Sequence, residues 1–119
     1  MSITRVAIGT TGDKGLHDQV SEAFARAKTF TLVNIENNKV KDVNVVKNPA
    51  ASKTRGRGPI VVQILLDHKV NVVIGSEFGP GISAMFDKHR IHRMKVNAKT
   101  PVMDVVKEFA FSFLRLCID

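Results

Sequence analysis

Two adjacent asparagines constrain this chain most. Asn37-Asn38 separates two runs of strand composition, Phe30-Thr31-Leu32-Val33-Asn34-Ile35 and Val40 to Val46. A connection this short brings the flanking runs back antiparallel, so the stretch is predicted to be a β-hairpin. Everything else alternates between strand and helix patterns. Ile3 to Ile8 reads as a strand that runs through Gly9 into a polar Thr/Gly/Asp/Lys loop. Val70 to Ile74 is nearly all apolar, as a central strand covered on both faces should be. Ile91 to Val96 is more polar and suits an edge strand.

Four helices are predicted between these strands. The first is short, capped by Asp18 or Ser21 and running through Ala27, with Val20 and Phe24 on one face. The second starts at Gly58-Pro59, carries Ile60, Val61, Ile64 and Leu65 at helical spacing, and ends near Lys69. The third covers Ile82 to Lys88. The last is capped by Thr100, opens with Pro101, and has an apolar stripe of Val102, Val105, Val106, Phe109, Phe113 and Leu116. The order β-α-β-β-α-β-α-β-α predicts an α/β fold with three layers, α/β/α. Its five-stranded mixed sheet should have the order 3-2-1-4-5, with strand 2 antiparallel. At 119 residues the chain is sized for one domain, 1–119, with one core.

Composition narrows the function classes. Lys and Arg total 18 against 11 acids, a net +7. Such a surplus concentrates anions, whether nucleic acid, phosphate or an anionic cofactor. Trp and Tyr are absent, which counts against a single-strand nucleic-acid binder built on stacking platforms. Cys117 is the one cysteine, so neither an internal disulfide nor a repeated-Cys zinc module is available. This suits a reducing, cytoplasmic setting. Met1 to Gly9 alternates like a strand and not like a signal peptide, and no apolar run approaches a membrane span.

Topology indicates where chemistry could sit. Parallel strands 1, 3, 4 and 5 place their C-terminal ends at one rim, so the loops Thr10–His17, Asn48–Gly58, Ser76–Gly81 and Asn97–Thr100 should converge there. Strands 1 and 4 form the switch point at which open α/β sheets usually bind ligands. Helix starts after Gly58 and Gly79 aim backbone N–H groups at the same rim. The expected anion-binding residues are Thr10, Thr11, Lys14, His17, Arg55, Arg57, Ser76, Gly79 and Gly81, with Lys53 and Lys99 adding charge. His17 is the candidate metal ligand. His68 and His89 follow helix ends at the opposite rim, and Cys117 ends the last helix there too, about 16 Å away across a five-residue strand.

Catalysis finds little support. Strand 1 carries Thr4 and Arg5 but no acid, and strand 4 is acid-free, so the clustered carboxylates of a two-metal nuclease are missing. Asp13 and Asp18 read as turn or helix caps. Gly9 to Gly15 lacks the spacing of a Walker phosphate loop.

The run Gly15 to Ala27, Asn48-Pro49-Ala50 after the hairpin, the Gly-bearing loop before the second helix and Val72 to Pro80 together resemble one family across nearly the whole chain. That family is the dinitrogenase iron–molybdenum cofactor biosynthesis family. The resemblance implies a ribonuclease-H-like motif and a small accessory protein that holds or carries an iron–molybdenum or other metal–sulfur cluster, or its precursor. It also implies a protein partner in cofactor assembly. Many members have His-Phe-Gly-Arg where this chain has Ala23-Phe24-Ala25-Arg26. Ala23 cannot ligate a metal, which leaves His17, six residues earlier, as the candidate substitute. The expected function is therefore a non-catalytic binding or carrier module. The alternatives are a basic nucleic-acid-binding module using Lys53-Thr54-Arg55-Gly56-Arg57, and a regulatory or interaction protein that has lost the cofactor.

Overall fold

A computed structural model describes residues 3–108. Its elements are β1 (Ile3–Thr10), β2 (Thr29–Glu36), β3 (Lys39–Lys47), α1 (Arg57–Asp67), β4 (Val72–Gly75), α2 (Pro80–Lys88) and β5 (His92–Lys95). A further helix, α3, occupies 102–108, and 3-10 turns lie at Gly15–His17 and Pro49–Ser52. The sheet order is β3-β2-β1-β4-β5. β2 is antiparallel to both its neighbours, while β4 runs parallel to β1 and to β5. The predicted mixed sheet is the observed one.

The hairpin forms because Asn37 and Asn38 both adopt positive φ, 52° and 64°. That twist matches the flanking strands, and Asn tolerates it better than most residues. β1 and β4 are central, and their alternation divides the core. Ala7 and Val73 face α1 and α2, joining Phe24, Phe30, Leu65 and Phe86. Val6, Ile8, Val72 and Ile74 face the other way, against Val102, Val105 and Val106 of α3. Helices therefore cover both faces. The rest of the predicted apolar stripe, Phe109, Phe113 and Leu116, lies outside the described residues, as does Cys117.

One predicted element does not form. The stretch from Asp18 to Ala27 is not an α-helix but a sequence of bends and turns. Its backbone donors are committed elsewhere. Val20 N–H donates to the Thr100 carbonyl (2.9 Å), Ser21 N–H to Gly9 (2.9 Å) and Phe24 N–H to Glu77 (3.0 Å). In a helix capped by Asp18 the Phe24 N–H would bond the Val20 carbonyl instead, and the tertiary bonds of Val20 and Ser21 pull the chain off the helical path. Val20, Phe24 and Ala27 are still fully buried, so the apolar spacing marked burial correctly and conformation wrongly.

Phe24 explains what this irregular segment does. Its ring packs on Phe30, Phe78 and Phe86, with centroids 4.9, 5.2 and 5.9 Å away. It lies over Gly9 and Gly75, the glycines near the ends of β1 and β4. A Cβ at either glycine would come within 3.2 Å (Gly9) or 3.1 Å (Gly75) of the Phe24 ring. The expected crevice between β1 and β4 is thus filled by a phenylalanine.

Candidate functional site

The C-terminal rim of the sheet opens into several hollows around the residue 21–28 segment. One, of about 460 Å³, is lined by Thr11, Gly12, Asp13, Lys14, His17, Asp18, Gln19 and Pro101. A second, of about 620 Å³, adds Lys28, Thr29, Lys47, Asn48, Pro49, Ala51 and Ser52 to Gly12 and Asp13. A third, of about 500 Å³, is lined by Thr11, Gln19 to Ala23, Arg26, Ala51 and Lys99. These three share lining residues and adjoin one another around the Thr11–Asp13 crest. A fourth, of about 340 Å³, sits where α1 and α2 begin, lined by Ala25, Gly56 to Pro59, Gly79, Gly81, Ile82 and Met85.

The crest is held from below by polar groups that the fold buries. Asp18 accepts hydrogen bonds from Thr11 Oγ1 (2.8 Å), Gln19 N–H (2.8 Å) and Lys14 N–H (3.2 Å). Burial pushes its carboxyl pKa up, but the donors of Gln19, Thr11, Lys14 and Gly12 outweigh that and hold it below its ordinary value of 3.8. Asp18 is therefore an anion already built into the loop, and the loop amides that could have cradled a ligand are spent on it. The Thr10 hydroxyl is likewise enclosed, bonding Thr29 Oγ1 (2.6 Å) and Thr31 Oγ1 (3.0 Å). Thr29 Oγ1 in turn donates to the Gly12 carbonyl. Asn48, also buried, donates its side-chain amide to the Ala25 and Ala27 carbonyls (3.0 and 2.8 Å) and accepts from Ala50 N–H (3.0 Å). It ties the irregular segment to the end of β3.

The residues expected at the site divide accordingly. Thr11, Lys14 and His17 come together in the first hollow. Arg57, Gly79 and Gly81 come together in the fourth, on the other side of residues 21–28. Thr10 supports the crest from inside the protein. Arg55 and Ser76 line none of the four hollows. Arg26, Lys28 and Lys47 do line the rim and were not among the expected residues. Arg26 was hidden inside a supposed helix, and the two lysines sit at the ends of β2 and β3, where only the hairpin register brings them together. Thr29 pairs with Lys47, and Asn48 N–H donates to the Lys28 carbonyl (3.1 Å).

The donor set limits what could be held. Among the described residues no group of three or more His, Cys, Asp or Glu side chains is placed to bind a metal ion. His17 is the one imidazole on the rim hollows, and a bare metal ion needs more protein ligands than one. A cluster that carries its own sulfide ligands needs mainly counter-charge and hydrogen-bond donors. The three adjoining hollows offer Lys14, Arg26, Lys28, Lys47 and Lys99 against Asp13, Asp18 and Glu22. The two ion pairs among the described residues, Lys41–Glu36 and Arg93–Asp87, involve none of these.

Residues 4–111 match the family model described as dinitrogenase iron-molybdenum cofactor. The chain belongs to this family. An uncharacterized protein of Methanocaldococcus jannaschii is 27% identical over 93 residues, 78% of each chain. The crystal structure of PH0822 superposes with a TM-score of 0.79 at 29% identity, covering 92% of both chains. The apo form of the orange protein from Desulfovibrio gigas superposes with a TM-score of 0.81, covering 93% of this chain and 90% of its own. At 21% identity that last likeness shows a shared fold. Among the described residues no helix is long and apolar enough to cross a membrane.

Proposed function

We propose that this chain, as a single domain, holds an anionic metal–sulfur cofactor or its precursor without transforming it, and passes it to a protein partner. Membership of the dinitrogenase iron-molybdenum cofactor family supports the cargo class. The observation that carries the reading is the group of five cations on the three joined hollows, outside the ion pairs of the described residues.

In mechanism, charge does most of the holding. Lys14, Arg26 and Lys99 approach an anion from around the Thr11–Asp13 crest, and Lys28 and Lys47 extend the field along the second hollow. Side chains on long stems can follow a bulky anion and release it without breaking a covalent bond. Thr11 spends its hydroxyl hydrogen on Asp18 and so orients the crest instead of donating to cargo. His17 is exposed at the mouth of the first hollow and is the one rim imidazole able to add a metal bond. At the position where the family resemblance implies a histidine, Ala23 presents only a methyl group to the third hollow. In this chain the electrostatic contribution therefore outweighs direct ligation.

The test is purification without oxygen followed by elemental analysis for molybdenum, iron and sulfide, and titration of the emptied protein with isolated iron–molybdenum cofactor. Co-purifying or saturable metal is the expected result. No metal and no binding, in both the parent and His17→Ala, would remove the carrier reading. A stable protein partner found under those conditions would favour the cofactor-free interaction role that the Ala23 position suggests.

A further inference from the structure

The carrier reading leaves one dense charge feature unused. Six of the eight residues from Lys88 to Lys95 are Lys, Arg or His, and none is acidic. They close α2 and form β5, the last strand of the sheet. Among the described residues nothing pairs with the outer edge of β5.

Geometry makes that edge well defined. Arg90 takes positive φ (59°) after the helix, and Ile91 N–H donates back to Phe86 (2.9 Å), so the strand starts from a fixed, buried anchor. His92 N–H donates to Asn71 and Val96 N–H to Gly75, both on the β4 side (3.0 and 2.9 Å). Strand alternation then turns the N–H and C=O groups of Arg93 and Lys95 outward, away from β4. The two basic side chains of the strand, Arg93 and Lys95, share one face. Arg93 and Lys95 lie on the α2 side, where Arg93 bonds the Ser83 carbonyl (3.0 Å) and Asp87 (2.7 Å). His92 lies on the α3 side, in register with Val72.

From this edge we infer a docking site for an acidic, extended peptide segment of another protein, which adds to the sheet as a sixth strand beside β5. Backbone groups of Arg93 and Lys95 supply the ladder, and cross-strand charge pairs supply the selection. A second copy of this chain fits poorly, because pairing β5 with β5 opposes cation to cation. Single-stranded nucleic acid shares the charge preference, but it makes no backbone ladder and stacks on aromatic rings. Three described phenylalanines, Phe24, Phe30 and Phe86, are fully buried, and Phe78 packs against two of them. The inference rests on residues outside the cofactor hollows and stands whether or not cargo binds.

The test uses the full chain and a fluorescein-labelled peptide of alternating Glu and Val, eight residues long, followed by anisotropy at low salt. Saturable binding is expected, with amide NMR shifts concentrated at 92–96. The same peptide N-methylated at alternate residues keeps its charge and loses half its donors, and it should bind at least tenfold more weakly. Lys95→Glu with His92→Glu should weaken the unmodified peptide by a similar factor. Three outcomes overturn the inference. They are no binding of the acidic peptide, equal binding of the N-methylated form, or tighter binding of a single-stranded oligonucleotide at the same residues. The N-methyl comparison uses unaltered protein, so a folding defect in the variant does not blunt it.

Discussion

The two sides of the residue 21–28 segment handle backbone polarity in opposite ways. On the Thr11–Gln19 side, a buried carboxylate gathers the loop donors, with Thr11, Lys14 and Gln19 all bonded to Asp18. On the α1–α2 side, the helix caps are Gly56 and Gly79, neither of which makes a side-chain capping bond. The first region has satisfied its own amides and offers mainly charged side chains to a visitor. The second offers backbone donors at helix starts, with Arg57 as its cation. A loop rich in glycine and threonine is therefore not by itself an anion cradle. What matters is whether an internal acid has already taken the place.

The sharpest way to break this division is to remove the partition. Phe24→Ala deletes a fully buried ring from between Gly9 and Gly75 and should cost about 4 kcal/mol of unfolding free energy. Urea unfolding monitored by circular dichroism checks it. A cost under about 1 kcal/mol would mean that the segment is not anchored by this ring.

Asp18→Asn tests the self-satisfied loop, with an expected loss of about 2 kcal/mol near neutral pH. The folded carboxyl titrates below 3.8, so its stabilisation is complete above that value and is lost as pH falls through the lower folded pKa. The parent and the variant should be most alike at strongly acidic pH, separate as pH rises towards about 4, and differ by a constant amount above it. Parallel curves across that range would show that Asp18 is not the group responsible.

Gly75→Ala places a methyl about 3.1 Å from a ring that Phe30, Phe78 and Phe86 hem in, so it should cost about 2 kcal/mol. Adding Phe24→Leu should recover part of that cost, because the two sites share one volume. Strict additivity in the double-mutant cycle would contradict the close packing.

The smallest stability effect belongs to the rim cations. Lys28→Gln and Lys47→Gln should each change stability by less than about 0.5 kcal/mol, since both are exposed. Thermal melts check this, and a larger loss would assign them a structural role.

Much of the scaffold was legible because its signals are local. Asn37-Asn38 sets the hairpin, and the apolar run at 72–74 marks a buried strand. The Asp18–Ala27 helix was misread because its donors answer to Gly9, Glu77 and Thr100, partners that no local pattern reveals. The site suffered the same way. Spacing could place the loops on one rim, but not show that Phe24 would fill the crevice between β1 and β4. Nor could composition distinguish Arg26, which lines the third hollow, from an ordinary helix-surface arginine.

In the proposed carrier, rim charge and not a ligand cage holds the cargo. The most direct test is the dissociation constant of isolated iron–molybdenum cofactor, measured without oxygen for the parent chain and for Lys14→Gln, Arg26→Gln, Lys99→Gln combined. Binding weaker by roughly tenfold or more, with a shallower dependence on salt, is the expected result. Equal affinity and equal salt dependence in the two proteins would contradict it.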